Sequence, residues 1–133
     1  MSDTFLTQSH SVIVTVKVQF VEEESLPNGP HYVWAYHINI QNQSVETLQL
    51  LRRFWRIVDA TGYVEEVEGE GVVGEMPILA PGESYQYTSG VPLNTPSGIM
   101  GGYYEMETQD ERTIKILIPT FVLNSPEESV TIN

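Results

Sequence analysis

The chain has 133 residues, 41% of them hydrophobic, which is the size and composition of one domain able to bury its own core. It contains no cysteine, which excludes disulfides, thiolate metal sites and cysteine nucleophiles. Eighteen acidic residues against six basic ones give a net charge of −12, which opposes binding to nucleic acid or to an anionic membrane surface.

The first third of the chain predicts two strands joined by a loop. Apolar residues alternate with polar ones over residues 12–20 and again over 31–42, as in half-buried strands. Between them, EEESLPNGP at 22–30 combines a charge run with Pro and Asn-Gly, which is typical of a loop. The inward residues of the second strand are expected to be Tyr32, Trp34, Tyr36, Ile38 and Ile40. We expect the two strands to pair in antiparallel fashion.

Residues 47–59 are ambiguous in periodicity. Their apolar residues fit a helix at Leu48, Leu51, Trp55 and Val58, whereas Leu51, Trp55 and Ile57 share one face of a strand. The neighbouring short strands and the Ala-Thr-Gly turn at 60–62 favour a strand.

The second half of the chain predicts further short strands and no helix. They are expected at residues 63–68, 84–89, 99–107 and 113–118, with Pro119 interrupting the last strand before it resumes at 121–123. About seven strands without a helix indicate an all-β antiparallel sandwich.

Several segments, in this order and spacing, resemble the ApaG family. They are LRRFWRIVDATG at 51–62, GEGVVG at 69–74, PGE at 81–83, YQYTSG at 85–90, GIMGGYYEM at 98–106 and IPTFVLNSP at 118–126. The resemblance therefore covers nearly the whole chain and predicts a single ApaG domain over 1–133. We expect residues 1–10 and 127–133 to be flexible or attached to a sheet edge.

The resemblance implies a sandwich of the immunoglobulin or fibronectin type III kind, without established catalytic activity. It also implies a link to Co²⁺ resistance and Mg²⁺ efflux. Since ApaG-like domains occur within F-box proteins and a polymerase-interacting protein, it implies binding to a protein partner that the sequence does not identify. One departure is Tyr103, which stands where some family members carry histidine.

The N-terminal residues and the hydropathy of the chain predict its location. The first ten residues have neither a basic start nor an apolar run, so they do not resemble a secretory signal. No segment reaches the roughly 20 apolar residues of a membrane helix. We therefore expect a cytoplasmic protein without membrane insertion.

The GEGVVG segment matches the G-x-G-x-x-G spacing of dinucleotide-binding loops. That mechanism needs a helix to begin at the motif, but Pro77, Pro81 and Gly82 follow closely and glutamates flank the loop. We interpret the glycines as shaping a loop at the sheet margin. A phosphate- or nucleotide-handling enzyme is the less favoured alternative, and no Ser-His pair or other catalytic residue is indicated.

The 69–104 stretch is the candidate surface for a protein partner or a small ligand. Loop glycines and exposed tyrosines on a rigid sandwich are a common platform for recognition. The candidate residues are Gly69, Glu70, Gly71, Val72, Val73, Gly74, Tyr85, Tyr87, Thr88, Ser89, Gly90, Tyr103 and Tyr104.

A soluble factor that binds Co²⁺ or Mg²⁺ is the main alternative. Carboxylates such as Glu68 and Glu70 suit Mg²⁺, and imidazoles such as His31 and His37 suit Co²⁺. On a regular strand, however, His31 and His37 lie about 20 Å apart, too far to share one ion. We therefore expect no resident cofactor and at most weak Co²⁺ or Mg²⁺ binding.

Half of the basic residues lie in one segment, at Arg52, Arg53 and Arg56. In a strand, Arg52 and Arg56 share one face and Arg53 takes the other, so the three do not form one clamp. Ion pairing with nearby acids is the favoured role, and contact with a partner is the alternative. Exposed strand edges can pair with a second copy of the chain, so a homodimer is a further expectation.

Overall fold

The computed structural model describes residues 2–25 and 31–126. These residues form nine strands and one 3-10 turn at Glu22–Glu24. The strands are β1 (Ser2–Ser9), β2 (Val12–Phe20), β3 (Tyr32–Asn42), β4 (Leu48–Asp59), β5 (Val64–Glu70), β6 (Ile78–Leu79), β7 (Ser84–Leu93), β8 (Ser97–Thr108) and β9 (Thr113–Asn124). Part of the predicted loop at 22–30 and the expected C-terminal tail lie outside the described residues.

All strand pairs are antiparallel, and the strands form two sheets. The first sheet has the order β1-β2-β3-β7, and the second has the order β5-β4-β8-β9 with the short β6 also paired to β4. The prediction of an all-β sandwich of the immunoglobulin or fibronectin type III kind is confirmed, with β1 and β6 added to the expected strands.

Alternating side chains from both sheets build one core. Val12, Val14, Val16 and Val18 are buried along β2, and the predicted inward residues of β3 are all buried. At the centre, the Tyr36 ring lies 5.3 Å from the Trp55 ring and 6.0 Å from the Phe121 ring. Because these rings come from both sheets, burial of their apolar surface holds the sheets together.

A β-bulge explains the ambiguous periodicity of residues 47–59. The segment is a strand, as predicted, but its register against β8 shifts between Leu50 and Arg52. One extra residue reverses which side chains face inward. Leu48 and Leu50 are buried before the shift, and Trp55 and Ile57 are buried after it.

The predicted break at Pro119 is wrong, because β9 continues through this residue. The register between β8 and β9 shifts between Met100 and Gly102, opposite the part of β9 that contains Pro119. A bulge is one of the few places in a sheet that tolerates a residue without a backbone N–H. The proline is therefore accommodated at a register shift, and the strand continues past it.

β1 is an edge strand that pairs along its length with β2, where the sequence predicted no strand but only a segment that is flexible or attached to a sheet edge. Its outward and inward residues are mostly polar, so alternation was not visible. Side chains of β1 also reach the other sheet: the Thr7 hydroxyl donates to the Leu117 carbonyl at 2.7 Å, and the Leu117 amide donates to the Ser9 hydroxyl at 2.9 Å. These bonds close one side of the sandwich.

We expect Gly102→Ala to destabilise the fold strongly. A Cβ atom at Gly102 would lie 1.9 Å from the backbone oxygen of Phe54 on the paired strand β4. The strands would have to separate, at a cost of about 3 kcal/mol or more in the free energy of unfolding. Urea denaturation measures this loss.

Gly90→Ala is the matched control. Its Cβ would meet its nearest neighbour, the Trp34 oxygen, at an ordinary 3.5 Å. We expect a change within about 0.5 kcal/mol, as for other unconstrained surface positions. Equal losses for the two variants would contradict the close-approach explanation.

Candidate functional site

The structure divides the candidate residues among three places. Arg53, Tyr87, Ser89 and Tyr104 meet inside the sandwich, beneath the glycine-rich loop. Arg52, Arg56, Tyr103, Glu68 and Glu70 lie on the outer face of the second sheet. Thr88, Gly90 and His37 lie on the outer face of the first sheet. The 69–104 stretch therefore does not form one continuous surface.

A buried pair of tyrosine hydroxyls joins the two sheets. The Tyr87 hydroxyl on β7 lies 2.5 Å from the Tyr104 hydroxyl on β8, and both residues are buried. Buried Tyr36, on β3, is the cross-strand partner of Ser89 and belongs to the same polar cluster. Alternation along β3 predicted that Tyr36 is buried, but no local sequence signal indicates its polar contact.

Burial controls the ionisation of this cluster. It raises the pKa of the Tyr87 and Tyr104 hydroxyls well above the usual value, because a phenolate would lose its hydration there. Burial also raises the pKa of Tyr36, while a hydrogen bond with Ser89 and the charge of Arg53 oppose that rise. The pKa of the half-buried Tyr85 is also raised, first by burial and second by the nearby negative charge of Glu75.

Arg53 ties the cluster to the glycine-rich loop. Its Nη1 atom donates to the Glu70 carbonyl at 3.0 Å and to the Gly71 carbonyl at 2.9 Å. Gly69 lies opposite Arg53 on β5, and a Cβ there would come within 3.0 Å of the guanidinium. The predicted separation of Arg53 from Arg52 and Arg56 is correct, but Arg53 binds backbone carbonyls where an ion pair was expected.

The GEGVVG segment forms a tight turn. Val72 and Glu75 exchange two backbone hydrogen bonds of 2.8 and 2.9 Å, and the Val72 side chain is buried. Gly71 has a φ of +63°, and a Cβ there would lie 2.3 Å from the Glu75 oxygen, so this position requires glycine. No helix begins at this turn in the described part of the chain. The arrangement thus lacks the helix terminus that dinucleotide-binding loops use.

The outer face of the second sheet carries an aromatic and aliphatic surface. The Phe54 and Tyr103 rings stack with centroids 5.0 Å apart, and the Lys115 ammonium lies 4.2 Å from the Tyr103 ring centre. Leu117, the cross-strand neighbour of Tyr103, is 50% exposed. Val64, Ile99 and Val122 lie in a second apolar row with Val58, and they are 40%, 47% and 40% exposed. We call Phe54, Val58, Val64, Ile99, Tyr103, Leu117 and Val122 the apolar face.

Charged residues of both signs flank and divide the apolar face. Register places Glu70, Arg52, Glu105 and Lys115 in one row across four strands, beside the row of Phe54 and Tyr103. Glu66 and Arg56 form another row, which lies between the Phe54 row and the row that contains Val58 and Ile99. Among residues 2–25 and 31–126, the two ion pairs within 4 Å both involve Arg112, with Glu46 at 2.6 Å and Asp110 at 2.9 Å. The expected ion pairs of Arg52 and Arg56 are thus not formed at contact distance.

The candidate metal ligands are not brought together. His37 lies on β3 beside Thr88, whereas His31 lies near Asp59 and Tyr63 at one end of the sandwich. Within the described ranges, no group of three or more His, Cys, Asp or Glu side chains is arranged to hold a metal ion. Glu68 and Glu70 are exposed on the edge strand β5.

These features define a class of protein: an antiparallel β-sandwich with a tightly anchored glycine-rich turn and one apolar outer face. The family model of the ApaG domain matches residues 22–108. The chain is 52% identical over 125 residues to protein ApaG of Paramagnetospirillum magneticum, covering 94% of this chain and 96% of that protein. It is 49% identical over 122 residues to protein ApaG of Parvibaculum lavamentivorans, with coverage of 92% and 94%.

A solved structure agrees with this assignment. A crystal structure of a Bordetella pertussis protein described as ApaA superposes with a TM-score of 0.84 at 39% identity, covering 90% of this chain and 97% of that one. The chain belongs to the ApaG family. None of the helices in the described residues is long and apolar enough to cross a membrane.

We expect Arg53→Met to loosen the glycine-rich turn. Losing two hydrogen bonds from a charged donor should cost about 3 kcal/mol in the free energy of unfolding. It should also speed amide hydrogen exchange at residues 71–75, which mass spectrometry can follow. Arg56→Met is the control, because Arg56 is exposed and makes none of these bonds. Unchanged exchange in Arg53→Met would show that the turn holds without this anchor.

The buried tyrosines predict a loss of stability in alkali. Their folded-state pKa lies above the unfolded value of about 10, so above that pH only the unfolded chain releases their protons. Unfolding is then favoured by up to about 1.4 kcal/mol per pH unit for each such tyrosine. Stability should be constant with respect to these groups below pH 9 and fall above pH 10.

Urea denaturation between pH 8 and 11 measures this slope. Tyr104→Phe removes one of the buried hydroxyls and should make the slope shallower. Tyr63→Phe is the control, because Tyr63 is 68% exposed. Identical alkaline slopes in wild type and Tyr104→Phe would refute the assignment.

Proposed function

We propose that this protein is a non-enzymatic binding module that recognises a protein partner through its apolar face. The observation that supports this most strongly is the presence of two apolar rows on one outer face. The stacked Phe54 and Tyr103 rings lie in one row with Leu117, and the half-exposed Val64, Ile99 and Val122 lie in the other. Outward positions on a solvated sheet are usually polar. Exposed apolar side chains combined with aromatic and arginine residues are characteristic of protein interaction sites.

The charges within and beside the apolar face support recognition of a protein. Arg52, Arg56 and Lys115 are three of the six basic residues in a chain of net charge −12, and they alternate with glutamates. A face with both signs of charge can align a partner by complementary pairs. Arginine and aromatic residues are also the types most enriched in the energetic centres of interfaces.

The interior cluster supports a scaffold role for the glycine-rich turn. Arg53 donates two hydrogen bonds to backbone carbonyls of the turn, and the Tyr87 and Tyr104 hydroxyls are hydrogen-bonded to each other. These groups are therefore committed to holding the fold. The proposed module binds without turnover, and any role in Co²⁺ resistance and Mg²⁺ efflux is indirect, exerted through the protein partner.

Site-specific photocrosslinking tests the proposal. A photoreactive phenylalanine analogue at Ile99 should give an adduct of defined mass with a second protein in cells that express the chain. The same analogue at Leu6, which is 61% exposed on the outer face of the first sheet, is the matched control and should give none. Excess wild-type protein should compete for the Ile99 adduct.

Charged substitutions measure how much the apolar face contributes to binding of the partner. Val122→Asp and Ile99→Asp should weaken competition at least tenfold, because an aspartate on this face would lose its hydration upon binding. Leu6→Asp should compete like wild type. Comparable thermal unfolding of the variants would show that the fold is intact. Equal adducts at Ile99 and Leu6, or undiminished competition by Ile99→Asp, would reject the apolar face as the binding surface.

A further inference from the structure

The outer face of the first sheet differs chemically from the apolar face and is not used in the proposed function. Its outward residues on the three strands β2, β3 and β7 include Lys17 and His37, several amides and hydroxyls, and no carboxylate. They are Ile13, Thr15, Lys17, Gln19, Val33, Ala35, His37, Asn39, Gln41, Ser84, Gln86, Thr88, Gly90 and Pro92. In a chain with 18 acidic residues, these outward positions thus lack the carboxylates that would repel an anion at close range.

Register sets the polar groups side by side. Lys17 lies directly opposite His37, and His37 lies directly opposite Thr88. The His37 Nδ1 atom is 2.8 Å from the Thr88 hydroxyl, which orients the ring. When Thr88 donates to Nδ1, the Nε2–H of the neutral ring is a donor available to a ligand beside the Lys17 ammonium.

Asn39 provides an independent sign of a missing partner. It lies one row along from His37, between Thr15 and Gln86. Its side-chain Oδ1 atom is buried and receives no hydrogen bond. Because buried amide oxygens are normally bonded, this acceptor is open to a hydrogen bond that the described residues do not supply, from water or from a ligand hydroxyl.

These residues line one concavity of about 520 Å³, formed by Thr15, Lys17, His37, Asn39, Gln86 and Thr88 together with the backbone of the two adjoining buried positions. The volume suits a small molecule. The six named side chains are polar, and none of them is Phe, Tyr or Trp, so ligand recognition would depend on hydrogen bonds and charge.

We propose that this concavity binds a small hydroxylated anion, the chemistry shared by sugar phosphates and sugar acids. The anionic oxygens accept from Lys17 Nζ and His37 Nε2, while a ligand hydroxyl donates to the Asn39 amide oxygen after a small rotation of that side chain. Gln86 and Thr88 provide further hydrogen bonds at the rim. Binding involves no covalent step, and the site is separate from the proposed protein surface.

Two-dimensional NMR titration tests this site, with glucose 6-phosphate and gluconate as probes. Glucose and inorganic phosphate are the comparison ligands. We expect saturable shifts at His37, Asn39 and Thr88 with at least one hydroxylated anion. Its Kd should be at least tenfold lower than that of inorganic phosphate or of glucose, because phosphate lacks the sugar hydroxyls and glucose lacks the anionic group.

Substitutions show which residue binds the anionic group of the ligand and which binds its hydroxyl groups. Lys17→Gln should raise the Kd of the hydroxylated anion at least tenfold, whereas Lys115→Gln, on the other sheet, should leave it unchanged. Asn39→Leu should remove the preference over inorganic phosphate without abolishing phosphate binding. Dispersed amide spectra would show that each variant folds.

Several results would contradict binding of a hydroxylated anion at this site. Shifts that spread over the protein, or that weaken alike in Lys17→Gln and Lys115→Gln, would reduce the binding to general charge attraction and overturn the proposal. So would a failure of both hydroxylated probes to saturate, or a preference that survives in Asn39→Leu. Ile99→Asp should bind these anions like wild type, so the outcome does not depend on the apolar face.

Discussion

The contact between the Tyr87 and Tyr104 hydroxyls is the constraint around which the interior is arranged, because it joins polar groups of both sheets inside a largely apolar core. Two buried hydroxyls are tolerated only if each finds a partner. Their bond therefore specifies how the sheets align as well as how far apart they lie. The aromatic contacts of Tyr36, Trp55 and Phe121 supply the apolar burial that this alignment permits.

Arg53 extends the same constraint to the surface. Its guanidinium is close enough to influence the pKa of the buried tyrosines, and it also holds the carbonyls of Glu70 and Gly71. The glycine-rich turn is thus connected to the core through one side chain. A motif that resembles a phosphate-binding loop serves here as a rigid closure, since its backbone hydrogen bonds are used within the turn.

The two outer faces of the sandwich have different chemistry. One carries rows of aromatic and aliphatic side chains interspersed with charges of both signs, and the other carries amides, hydroxyls, Lys17 and His37 without a carboxylate. The side chains of neither outer face are needed to build the core, because the inward residues of both sheets already form it. The faces are therefore free to serve recognition, one toward a protein and one toward a small anion, as proposed above.

Sequence alone determined the strand pattern of β2 and β3, the sandwich class and the family, because alternation and ordered motifs are local properties of the chain. Tertiary structure decided the rest. The β4 bulge reversed the inward face, and β9 continued through Pro119, because register depends on the neighbouring strand. Likewise, whether Arg53 or Arg52 faces the tyrosines, and which outward side chains share a face, follows from pairing between strands distant in sequence.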